Sequence, residues 1–263
     1  MGRPIITLTT DFGTSFSYVA EMKGVILDAL DGDVEIVDVT HSIEPQSIAE
    51  AELVVGRLVE TFPLGTTHLV VVDPGVGTER RPIAGEWRSH RFVGPDNGVF
   101  GAILNVEDAA IVELTKPHLF RTPVSHTFHG RDIFAPVASA LAGGLPLSDV
   151  GRPLDYAHAS TIGAPVRIGN RIQGRVICKD RFGNLLTNIE RKVLQGNLKA
   201  VGFGDQTLPW LETYGRGSQG ELVALFGSAE RLEIAVCNGS AAERLPDWSS
   251  LSVWVELEPA TQE

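Results

Sequence analysis

The chain has 263 residues, 43% of them hydrophobic, and a formal net charge of −11 at neutral pH. That length supports a sizeable core in one large domain or two modest ones. The acidic balance, with no basic stripe, speaks against gripping nucleic acid through its phosphates; it suits a cationic ligand, and the plainer reading is solubility.

In chain order, the short β-branched runs at 4–10, 34–40, 68–72 and 109–115 predict strands. Between the first two, Val19, Met22, Ile26 and Leu30 keep a 3-4-4 rhythm, which predicts an amphipathic helix over 17–30. Between the next two, Ile48, Ala51, Val55, Leu58 and Phe62 predict a second helix over 46–62, with Pro45 near its start. "RFVGPDN" (91–97) reads as a further strand. A third helix over about 130–143 ends at Gly143 and Gly144. Strand–helix alternation predicts an α/β domain over 1–150: a mainly parallel sheet with helices on both faces. A proline-bearing stretch over 151–166 reads as a linker. From 167 to 263 the helical rhythm fades and glycine-separated strands predict an all-β, barrel-like domain.

Two cysteines, Cys178 and Cys237, lie in apolar strand-like runs and point to buried thiols, not a disulfide framework. The N-terminus has no charged-then-apolar leader, and no apolar run reaches the roughly 18 residues of a membrane span. A soluble, cytoplasmic protein is expected. "GRGSQG" (215–220) has dinucleotide-loop spacing but leads into a strand where such a loop must open a helix. "GVGTERR" lacks the Gly-Lys-Ser/Thr of a phosphate loop. His126 and His129 have no obvious third metal ligand.

In an open parallel sheet, ligands bind beyond the carboxyl ends of the strands. Four predicted strands deliver acids to that edge: Asp11, Asp38, Asp73 and Asp96. For Asp38 and Asp96 the plainer reading is a cap on the next helix. Asp11 and Asp73 instead precede the glycine-bearing loops "FGTS" and "PGVG", which allow close backbone approach to a ligand. In "VVVDPGVGTERR" (70–81) Arg80 stands seven residues after Asp73, spaced to hold that carboxylate as an oriented ion pair; the alternative is an ordinary surface pair. His129 immediately precedes the third helix, at the positive end where free N–H groups gather.

Together these segments resemble the adenosine-forming S-adenosylmethionine (SAM) hydrolases, the SAM hydroxide adenosyltransferase family, which is related to the fluorinating and chlorinating SAM enzymes. The resemblance runs nearly end to end through "ITLTTDFGT", "VDVTHSIEPQ", "VVVDPGVGTERR", "VGPDNGVF", "TFHGRDIFAPVA", "DVGRP", "DRFGNLLTNI" and "LEIAVCNGSAA". It implies hydrolysis of SAM to adenosine and methionine, no metal or separate cofactor, and a homotrimer with sites between subunits. It further implies that Asp73, Arg80 and His129 handle the water and that Asp11 grips the ribose. Asp180 and Asn184 would hold the methionine end, Tyr214 would stack on adenine, Ser228 would contact the methionine carboxylate region and Asn238 the adenine edge. Where the family often has Asn-Ser-x-Gly-Tyr, this chain reads Gly227 to Arg231. A halogenase forming 5′-halo-adenosine and a non-catalytic SAM or adenosine sensor are the competing readings.

Overall fold

The computed structural model describes residues 2–259. Two compact units divide the chain, Met1–Thr161 and Ile162–Glu263.

In the first unit the elements run β1 (Ile5–Thr10), α1 (Tyr18–Ala29), β2 (Glu35–Thr40), α2 (Ile48–Thr61), β3 (Thr67–Val71), β4 (Pro82–Trp87), β5 (His90–Pro95), α3 (Gly101–Leu104), β6 (Ala110–Leu114), α4 (Ala135–Ala142) and β7 (Gly151–Leu154). They build one seven-stranded sheet of order β2-β1-β3-β5-β4-β6-β7. The first four strands in that order are parallel and the last three pairings are antiparallel, so the sheet is mixed. The antiparallel half comes from two strands that the helix–strand rhythm does not reveal. β4 joins β5 through Arg88 and Ser89, both at positive φ (48° and 61°), the conformation of a tight hairpin turn. β7 falls in the stretch expected as a linker; it adds to the sheet edge because Gly151 lies where a Cβ would come within 1.7 Å of the Glu113 carbonyl oxygen.

Alternation along β3 divides the core. Leu69 and Val71 face a cluster containing Met22 and Ile26 of α1 and Val137, Ala138 and Leu141 of α4. Val70 and Val72 face another with Ala51 and Val55 of α2 and Ile103 of α3. The expected helices thus cover both faces. α2 begins at Ile48, after Gln46 turns into the left-handed region (φ 67°).

A buried histidine pair crosses the sheet at the other end of its strands. His68 Nδ1 lies 2.8 Å from Thr7 Oγ1, and its Nε2 lies 3.1 Å from His90 Nδ1, with the rings stacked. Burial first, and then the neighbouring His90, push His68 down to about 3; burial lowers His90 as well. In the unfolded chain both titrate near 6.5. The stabilisation is therefore fully present above about pH 6.5 and is lost as pH falls toward 3, by up to about 1.4 kcal/mol per pH unit for His68. Urea titrations between pH 7 and 5 are expected to show this decline, and His68→Gln to lessen it, leaving the shares of His90 and His129. An unfolding midpoint constant across that range would contradict the assignment.

The second unit holds β8 (Val166–Ile168), β9 (Arg171–Lys179), β10 (Leu185–Glu190), β11 (Leu198–Phe203), β12 (Gln206–Leu208), β13 (Leu222–Phe226), β14 (Arg231–Val236) and β15 (Ser252–Leu257). All its strand pairings are antiparallel, in the order β12-β11-β15-β9-β10-β14-β13. A bridge from Trp210, just after β12, to Ala224 of β13 nearly closes the sheet into a barrel around Ile172, Leu185, Val201, Ile234 and Val255.

Candidate active site

The four parallel strands run the same way, so their carboxyl ends share one edge, as expected. Asp11 follows β1, and Asp73 follows β3 after Val72. Asp73 is the first residue of a loop tied by its own hydrogen bonds: Val76 N donates to the Asp73 carbonyl and Thr78 Oγ1 to that of Gly75 (2.6 Å). This loop returns Arg80 to the carboxylate. Arg80 Nε donates to Asp73 Oδ1 at 3.0 Å and its Nη2 to Asp73 Oδ2, a two-point fork. The side chains are 7% and 4% exposed, which rules out the ordinary surface pair.

His129 completes the group from another direction. It caps a wide helical turn, Gly130–Phe134, that leads into α4. Its segment is pinned to the Asp73 loop at Gly77 (φ 77°), where a Cβ would lie 2.5 Å from the His126 carbonyl oxygen. His129 Nδ1 is 3.1 Å from Arg80 Nη2. A guanidinium only donates, so Nδ1 must be the acceptor, and neutral His129 carries its proton on Nε2. Burial first, and the Arg80 charge second, lower the imidazole from its ordinary value; Asp73 opposes this in part. Arg80 also packs over the Phe134 ring at 5.3 Å, and its Nη1 is buried with no hydrogen-bond partner among the described residues.

Asp73 and His129 line a cleft of about 450 Å³, with Asp11, Phe12, Tyr18, Gln46, Val76, Thr127 and Phe128 among its other walls. Asp11 Oδ2 accepts from Gln46 N at 2.8 Å, which orients the carboxylate and leaves Oδ1 and a second lone pair on Oδ2 for a ligand hydroxyl. Asp11→Ala is expected to weaken SAM binding measured by calorimetry by roughly tenfold or more, since a hydrogen bond to a charged group is worth about 1.5–3 kcal/mol; unchanged affinity would remove Asp11 from the ligand's contacts. The aromatic walls are not legible as a motif. Phe12 and Tyr18 stand at the two sides of the β1–α1 connection and Phe128 comes from the distant segment before α4; the three meet edge to face at 5.4–5.9 Å.

The two acids read as helix caps do something else. Asp38 pairs with Lys23 at 2.6 Å, and the next helix begins only at Ile48. Asp96 binds Arg81 and the His158 N–H (2.6 Å), while the residue before α3 is Phe100. Arg81 is thus held by Asp96, and Arg80 is the arginine on Asp73.

In the second unit, Asp180 and Asn184 form one turn. Asp180 Oδ1 accepts from the N–H groups of Phe182 (2.8 Å) and Asn184 (2.9 Å), and Oδ2 from Asn184 Nδ2 (2.9 Å). Tyr214 is 41% exposed, and its hydroxyl donates to Glu233 Oε2 at 2.6 Å. Glu233 does not stand out in the sequence, because it looks like one polar position in the apolar run "LEIAV". Burial raises its pKa, with the Asp180 charge adding to the effect; burial and Glu233 together raise that of Tyr214. Ser228 and Asn238 are exposed in the turns after β13 and β14, the latter at positive φ (56°).

The N-terminal domain of the SAM hydroxide adenosyltransferases matches residues 6–151, and the C-terminal domain of that family matches residues 174–246. The chain is 36% identical over 253 residues to the (R)-S-adenosyl-L-methionine hydrolase of Thermus thermophilus, covering 92% of this chain and 95% of that one. It is 36% identical over 247 residues to the enzyme of the same name from Salinispora tropica, covering 92% and 94%. A fluorinase from an Actinoplanes species is more distant, 30% identical over 236 residues and covering 78% and 77%. In structure, the chain matches a conserved protein from Thermotoga maritima with a TM-score of 0.86 at 35% identity, over 95% of this chain and 99% of that one. With both domains matched in order, and with relatives alike over nearly their whole length, the chain belongs to the SAM hydroxide adenosyltransferase family.

Proposed function

We propose that the protein hydrolyses SAM to adenosine and L-methionine, by in-line attack of water at C5′. The observation that carries this reading is the Asp73–Arg80–His129 group, of which Asp73 and His129 line a cleft that also presents Asp11. Water's oxygen bonds to C5′ as the C5′–S bond breaks. The bonding pair stays on sulfur, which turns from sulfonium to neutral thioether, and one proton is released from the water. The leaving group needs no acid, so the difficulty is the nucleophile. Holding one water in a dry, polar pocket supplies both proximity and electrostatic help.

Each residue has a role that its hydrogen bonds allow. Neutral His129 offers Nε2–H to the water oxygen, and Arg80 favours the developing hydroxide. Asp73 holds the guanidinium in place, and its oxygens keep further lone pairs for the departing proton. A carboxylate at this point opposes a halide nucleophile, since two anions repel strongly in a low dielectric. Asp11 grips the ribose, Asp180 and Asn184 the methionine end, Tyr214 the adenine face, Ser228 the methionine carboxylate region and Asn238 the adenine edge. The active form is a homotrimer with sites between subunits; light scattering should then return three chains of 28.3 kDa.

Incubation of the protein with SAM and excess chloride or fluoride tests the reaction class. Adenosine should remain the product. Predominant 5′-halo-adenosine would establish a halogenase instead, and tight binding of SAM without adenosine release over hours would establish a sensor.

A further inference from the structure

We propose that Asp96 and Asn97, side by side at the carboxyl end of β5, act as positioning residues for the hydrolysis by clamping both ends of the loop that carries Asp73 and Arg80. Neither lines the cleft with Asp73 and His129. At the entry to the loop, Asn97 Nδ2 donates to the Val72 carbonyl oxygen at 2.9 Å. That carbonyl belongs to the peptide whose nitrogen is Asp73's, so the bond fixes the plane from which the Asp73 side chain departs. Asn97 is itself held, because its Oδ1 accepts from Val99 N at 3.2 Å.

At the exit, Asp96 takes the residue directly after Arg80. Its Oδ2 accepts from Arg81 Nε at 2.8 Å and also from Arg81 Nη2, and its own N–H donates to the Arg81 carbonyl at 3.0 Å. The Asp96 side chain is 3% exposed, and its Oδ1 is engaged by His158 N at 2.6 Å, so the anchor has no free direction in which to turn. One dipeptide therefore determines how far apart the two ends of an eight-residue loop stand, and with that whether the Arg80 fork meets Asp73 squarely and still reaches His129. A shift of about 1 Å in such a group is enough to lower a rate 10²-fold.

The proposal rests on the hydrolase reading, and the test separates the two. Parental protein, Asn97→Ala, Asp96→Asn and Thr66→Ala are compared for adenosine formation, melting temperature and the His129 titration followed by NMR. Thr66 is a buried anchor at the opposite end of β3, its hydroxyl bonding to the Pro63 carbonyl at 2.7 Å. Asn97→Ala and Asp96→Asn are expected to lower kcat by about 10- to 100-fold with KM within about twofold of the parent. In both, His129 should titrate closer to its ordinary 6.5, because the Arg80 charge is no longer held against it. Thr66→Ala should lower the melting temperature and leave kcat and the His129 titration unchanged. The proposal is overturned if kcat in the two clamp variants stays within twofold of the parent. It is equally overturned if KM rises as much as kcat falls, or if the His129 titration does not move. Should the parental protein form no adenosine, the hydrolase reading falls; the His129 titration then decides by itself whether the clamp positions Arg80.

Discussion

Arg80→Ala is expected to lower kcat for adenosine formation by about 10²–10³-fold, the usual cost of deleting one preorganised donor from a reacting centre. It should also destabilise the first unit by about 3–5 kcal/mol, because Asp73 would remain as a buried carboxylate without its partner. Both effects follow from one geometry. The guanidinium spends Nε and Nη2 on Asp73, and that same Nη2 reaches His129. Arg80→Lys separates the two effects. An ammonium restores a positive charge beside Asp73 and should recover much of the stability. A point charge has no fork with which to span a carboxylate and an imidazole together, so turnover should stay low. Urea denaturation and steady-state rates on the three proteins check this, and full activity in Arg80→Ala would place the water-handling centre elsewhere.

The second large effect is an acid limb owned by His129. With Nδ1 accepting from Arg80, the neutral ring is the one that fits. Protonation would turn N–H against N–H and set a second cation beside the guanidinium. Burial and the Arg80 charge therefore favour the neutral form and hold the imidazole below 6.5. Turnover should be flat near neutrality and fall as pH drops through a midpoint below 6.5. His129→Ala should reduce kcat by about 10²-fold or more and abolish that limb. A limb that survives unchanged in His129→Ala would assign the titration to another group. The loss of stability due to His68 occupies an overlapping range, so rates need correction for the folded fraction at each pH.

Periodicity carries the parallel half of the fold. Met22, Ile26, Ala51 and Val55 are core residues because their spacing puts them on one face of a helix, and spacing is visible in one dimension. The strand β4, which pairs with β5 in a hairpin, and the edge strand β7 are not visible in this way. "PIAGEW" carries a proline and a glycine, and "GRPL" is four residues long; each becomes a strand only because a neighbour offers it an unpaired edge. The same divide runs through the site. Asp73 and Arg80 are close in sequence, so their spacing predicts the pair. Tyr18, Gln46 and Phe128 enter the cleft only when distant segments meet, and Glu233 becomes notable only when Tyr214 lands on it. Asp96 shows how a local rule can mislead: an acid at a strand tip reads as a cap for the next helix, yet its carboxylate is claimed by an arginine fifteen residues earlier.

Hydrolysis of SAM in oxygen-18 water, with both products weighed by mass spectrometry, tests the central claim most directly. One heavy oxygen in adenosine and none in methionine is the predicted result, because the solvent oxygen becomes the 5′-hydroxyl. Adenosine free of the label, or label carried by methionine, would contradict attack of a held water at C5′.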